Sequence, residues 1–149
     1  MSETDPIPKL KTPEECATFA ENAAQRKRPD LALRAKKRAI ELRAATYGAT
    51  TEAECECIQA VCAYEETLAV KNGRRQSASR TWPMLERHGI IGAVERVVAR
   101  KDAAAGYNAL VELGMQEYAF ESVILRYPHL FSTEAVERSR TPIGGEGDA

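Results

Sequence analysis

Apolar positions recur every three to four residues along this chain and nowhere alternate with a period of two, which predicts an all-α fold. The first stripe is Cys16, Phe19, Ala20 and Ala23. Thr12 precedes it as an N-cap, with Pro13 at the first helical position and Glu15 completing a capping box. Pro29 ends that helix near Arg28 and opens a second, which runs to about Tyr47 and stops at Gly48. Its inner stripe is Ala32, Ala35, Ala39 and Leu42. A third helix starts at Thr50 or Thr51, buries Ile58, Val61, Cys62 and Leu68, and closes at Asn72-Gly73. Thr81 caps a short helix, W-P-M-L-E-R-H, that Gly89 ends; Ile90, Ile91, Val94, Val97 and Val98 mark the next. Two apolar segments within 103–126, turning at Gly114, predict an antiparallel pair, and Ser132-Thr133 start a last turn through Arg138.

The expected architecture is a compact bundle of six to eight short-to-medium helices with an N-terminal helical hairpin. Residues 12–139 read as one domain: hairpin-like helices over 12–72, a basic linker at 73–80, and a helical C-terminal half over 81–139. The polar segment 1–11, with Pro6 and Pro8, and the glycine-rich segment 140–149 read as disordered tails.

The run P-D-L-A-L-R-A-K-K-R-A-I-E-L-R-A resembles the second helix of a tetratricopeptide hairpin. With residues 13–28 the likeness covers one repeat, about 13–47. The first helix lacks the family's tryptophan-leucine-glycine-tyrosine series. The resemblance implies a helical hairpin and a peptide-binding groove, and it carries over no functional residue.

Charge changes the picture. The 149 residues carry a net charge of −1. Yet Lys71–Lys101 holds Lys71, Arg74, Arg75, Arg80, Arg87, Arg96, Arg100 and Lys101 against Glu86 and Glu95, a net of +6. Residues 26–43 carry the same surplus, eight cations against Asp30 and Glu41. A local excess of this size is a surface for phosphates or acidic partners. The basic stretch also surrounds a helix-turn-helix-like candidate, residues 81–100 hinged at Gly89. A second candidate, 103–126 hinged at Gly114, presents Glu117, Tyr118, Phe120 and Glu121, an acidic and apolar surface that reads as core. Arginines and hydroxyls contact phosphate oxygens, and arginine also reads guanine edges. The candidate nucleic-acid-binding residues are therefore Arg74, Arg75, Ser77, Ser79, Arg80, Trp82, Arg87, Arg96 and Arg100. Arg34, Lys37 and Arg38 form a secondary basic face. Trp82 has two readings: buried between helices with its indole N–H on a carbonyl, or stacked on an unpaired base.

Other chemistry is not spelled out. No phosphate-cradling glycine loop, nucleophile elbow or metalloprotease motif is present. Cys16, Cys55, Cys57 and Cys62 lack zinc spacing, and neither His88 nor His129 completes one, so they read as structural thiols. In the third helix Cys55 and Cys62 share a face from which Cys57 points away. No enzymatic activity, cofactor or metal is expected. No apolar run nears the ~20 residues of a membrane span, and the polar start lacks a signal peptide's apolar core. The expected location is the cytoplasm, or the nucleoid in a bacterium. The reading that unites these features is a small nucleic-acid-binding module, DNA before RNA, serving as a regulator or as the targeting part of a DNA-processing or defence system. Its alternative is a protein-interaction adaptor built on the tetratricopeptide-like groove. Oligomeric state is not specified.

Overall fold

A computed structural model describes residues 5–74, 76–101 and 103–145, with side chains to residue 140. Among them are seven α-helices and no strand. No helix there is long and apolar enough to cross a membrane. The chain divides into two compact units, Met1–Gly48 and Ala49–Ala149.

The first unit is the hairpin of α1 (Pro13–Gln25) and α2 (Pro29–Ala45). Thr12 caps α1 by accepting from the Glu15 N–H at 3.1 Å, and the Glu15 carboxylate reaches back to the Lys11 N–H at 2.7 Å. The turn is closed by Lys27 at φ 61°, with the Arg28 N–H donating to the Ala23 carbonyl. Small residues line the seam. Ala20, Ala23, Ala32 and Ala35 are buried in it, so the two backbones approach closely.

Residues 5–11 are not a free tail. Ile7 sits in a 3-10 turn, Ile7–Lys9, and completes the hairpin's apolar cluster, with Leu10 packed beside it. Burying one isoleucine contributes about 1.5–3 kcal/mol, enough to order a short segment that also forms polar bonds. Those bonds come from α2. Arg34 pairs with Asp5, and Arg38 donates to the Leu10 carbonyl at 3.1 Å and the Pro8 carbonyl at 3.5 Å.

The second unit is organised on α3 (Glu52–Asn72), which touches α4 (Thr81–Val98), α5 (Ala103–Glu112) and α6 (Phe120–Arg126). Thr51 caps α3 through the Glu54 N–H, and Gly73 at φ 73° ends it. Ile58, Val61, Val94, Leu110, Met115, Val123 and Ile124 are buried, and they make the core. Within α4, Gly89 stands at φ 79°, ψ 166°, a conformation open almost only to glycine, so the helix breaks where the sequence predicts a hinge. The segment expected as one helix after Gly114 is instead a 3-10 turn, Gln116–Tyr118, an extended Ala119, and α6.

The last helix, α7 (Thr133–Gly145), runs seven residues past the expected end at Arg138, through part of the predicted tail. Residues 146–149 lie outside the described residues. Ser132 caps α7 by accepting from the Ala135 N–H at 3.1 Å, while its own N–H donates to Glu95 of α4 at 2.5 Å. Glu56 of α3 similarly receives Arg126 Nε at 2.8 Å and the Tyr127 hydroxyl at 2.9 Å, fixing the end of α6.

The cysteines correct the helical-wheel reading. Cys57 and Cys62 are buried and Cys55 is the half-exposed one; Cys16 is buried in the first unit. All four are thiols, with no disulfide among them. No group of three His, Cys, Asp or Glu among the described residues could hold a metal ion.

Candidate nucleic-acid interface

The loop between α3 and α4 is pinned by a residue that composition alone passes over. Glu65, in the middle of α3, accepts from three donors with one oxygen: the Ala78 N–H at 2.9 Å, the Trp82 indole N–H at 2.6 Å and the Ser77 hydroxyl at 3.3 Å. Ala78 is buried beneath the loop. Its carbonyl receives the Thr81 and Trp82 N–H groups and so starts α4. A carboxylate that gathers three N–H and O–H donors fixes a loop that has no periodic structure of its own, because bonds to a charged acceptor are about twice as strong as neutral ones.

This anchoring sorts the candidate residues. Trp82 is half-buried and its polar handle is held by a carboxylate, where the sequence reading places a carbonyl. Ser77 is exposed, but its hydroxyl faces Glu65. Arg74, Ser79 and Arg80 are exposed around the pinned loop; Arg75 lies outside the described residues. Past Trp82, Arg87, Arg96 and Arg100 are exposed along the two halves of α4 and just after it. Arg96 folds back along its own helix and donates to the Gly92 carbonyl at 3.2 Å. The Arg100 guanidinium rests on the Met84 sulfur at 3.4 Å, across the Gly89 break.

No family model, curated protein or solved structure matches this chain. The site is thus read from its own geometry.

Among the described residues, none of Arg74, Arg80, Arg87, Arg96 and Arg100 is paired with a carboxylate. The acids that would neutralise them are engaged elsewhere: Glu95 on the α7 cap and Glu65 on the loop. Glu86 is exposed and forms no ion pair among the described residues. His88 registers the result. Desolvation, then Arg96, then Arg87 hold its imidazole below the ordinary 6.5. Beside the larger effect of desolvation, the two arginines add like charge near this exposed imidazole.

The secondary basic face is different. Arg34 and Arg38 are taken up by Asp5, by the Pro8 and Leu10 carbonyls, and by Glu41 at 3.7 Å. Lys37 is half-buried and has interactions within the fold. Arg34 and Arg38 fasten the leading segment to the hairpin, a role that a count of charges along α2 does not reveal. The sequence reading gives neither His88 nor Glu65 a place among the binding residues.

Proposed function

We propose that the second unit binds a nucleic acid, DNA before RNA, through Arg74, Arg80, Arg87, Arg96 and Arg100. The observation that carries the reading is the sorting of charge: the nearby acids Glu65 and Glu95 are bonded to backbone and indole N–H groups, while among the described residues these arginines have no carboxylate partner. Such a cluster is relieved by an anionic polymer, whose phosphates accept several guanidinium groups at once. The pinned loop supports the reading too, since a fixed backbone loses less freedom on binding. Trp82 contributes by shape rather than by stacking, because its indole is half-buried and tied to Glu65. A regulator or the targeting part of a DNA-processing or defence system would use a surface of this kind.

Fluorescence anisotropy with labelled duplex DNA, single-stranded DNA and RNA at several salt concentrations tests the proposal. Arg87→Ala/Arg96→Ala should weaken binding across unrelated sequences and reduce the salt slope by roughly one unit for each arginine that had neutralised a phosphate. Arg34→Ala should leave affinity unchanged. No binding to any of the three polymers at low salt would sink the proposal.

A further inference from the structure

The second unit holds a partly open cavity of about 220 Å³ between α3, α4, α5 and the start of α6. Of the arginine surface it includes only Arg100. Its walls are mixed, with Val97, Leu110 and Phe120 supplying apolar surface. Glu121 stands in the same lining, although the residue is only 4% exposed. Beyond its own backbone N–H, no residue among those described donates to this carboxyl. A buried carboxyl without a counter-charge is a costly feature, and burial raises its pKa accordingly. Structural glutamates in this protein are treated otherwise. Glu56, Glu65 and Glu95 each hold at least one donor from another element.

A second observation concerns the cavity's size. Gly106 lies inside α5 and contributes to the lining. Its φ is not positive, and an added Cβ would meet nothing nearer than Tyr64 Cε1 at 3.8 Å, an ordinary contact. Neither backbone conformation nor close packing therefore requires glycine, which is a poor helix former. What glycine does here is leave space. The third observation is polarity: Lys71 and Arg100 also belong to the lining, and neither forms an ion pair with Glu121.

From these we infer that the cavity is a binding site for a small organic molecule with a protonated nitrogen at one end, received by Glu121, and an anionic group toward Lys71 and Arg100, on an apolar body. The ligand's cation supplies the counter-charge that Glu121 lacks, and its apolar middle meets the cavity's hydrocarbon walls. The cavity shares Arg100 with the proposed nucleic-acid surface, but Glu121 and Gly106 belong to the cavity alone, so changes at these two residues test this site without altering that surface.

Isothermal titration and thermal-shift measurements on the full chain test this with ω-amino acids of three to seven carbons and with tyramine. The matching carboxylic acids and alkylamines serve as half-ligands. At least one ω-amino acid should bind and raise the melting temperature, with each half-ligand at least tenfold weaker. Glu121→Gln keeps the shape and removes the charge; it should lose binding of the amine end tenfold or more, while melting no lower than the wild type. Gly106→Leu fills the cavity and should abolish binding of every probe, with circular dichroism confirming that the helices remain. Should no probe bind the wild type at millimolar concentration, or should Glu121→Gln bind as well as wild type, the inference is overturned. Retained binding by folded Gly106→Leu would overturn it as well. A folded Gly106→Leu protein that still binds duplex DNA would show that the two sites stand or fall separately.

Discussion

Replacing Glu65 tests how the α3–α4 loop is held. One of its oxygens receives a backbone N–H at 2.9 Å and the indole N–H at 2.6 Å, with the Ser77 hydroxyl more distant at 3.3 Å. A hydrogen bond to a charged group contributes about 1.5–3 kcal/mol, and bonds that share one acceptor are not additive. Two good bonds to a half-buried carboxylate therefore give about 2–4 kcal/mol for Glu65→Ala, including the cost of leaving the buried Ala78 N–H without its acceptor. Glu65→Gln keeps one acceptor oxygen but loses the charge and should cost about 1–2 kcal/mol. Trp82 is the only tryptophan, so its fluorescence reports on this unit directly. Urea unfolding should show a lower midpoint at unchanged slope, and the native emission of Trp82 should shift as its indole N–H is freed. Glu86→Ala, an exposed change on α4, is the control and should stay within about 0.5 kcal/mol. If Glu65→Ala falls within that same range and leaves the native emission unmoved, the loop is held by something other than this carboxylate.

Three further expectations follow from local chemistry. His88 should titrate below its ordinary value of 6.5 in the folded chain, because desolvation, Arg96 and Arg87 disfavour its proton. Between the folded and ordinary pKa values the unfolded chain holds more protons, so this group makes stability rise with pH through that window and adds nothing above it. Two-dimensional NMR should show the midpoint moving up in Arg96→Gln; an unchanged midpoint would remove Arg96 as a cause. Gly89→Ala forces a non-glycine residue to φ 79°, ψ 166° with open space around it, so the penalty is backbone strain alone, about 1–3 kcal/mol. Gly92→Ala, whose Cβ would lie 3.4 Å from His88 Cβ, should be neutral or stabilising, and equal melting of the two variants would contradict the break in α4. The Cys57 thiol is pushed up to about 12, chiefly by burial and then by Glu54 and Glu56. At pH 8, iodoacetamide should therefore label half-exposed Cys55 well before Cys57, and mass spectrometry of digested fragments would expose the opposite order.

Helix number, helix stops and the Gly89 hinge were legible because they are written locally. Gly48, Gly73, Gly89 and Gly114 all have positive φ, and each ends or breaks a helix whose apolar period is visible within ten or so residues. The contacts that give the candidate site its character are not local. Arg38 meets the Leu10 carbonyl 28 positions away, Glu65 meets Trp82 across 17, and Glu95 meets Ser132 across 37. No periodicity encodes such pairs; they exist only once the helices have packed. Counting charge along the chain gives residues 26–43 and 71–101 the same surplus, and on that basis both read as binding faces. Folding separates them. On α2, Arg34 and Arg38 are engaged by Asp5 and by backbone carbonyls that a leading segment brings to them. Around α4 it is the acids that are drawn inward, to the Trp82 indole, the Ala78 amide and the α7 cap, and the arginines are left facing outward. The sign of a segment is thus a property of its sequence. Whether that charge remains available to a partner depends on which carbonyls, amides and carboxylates the fold places beside it, and here that placement favours α4.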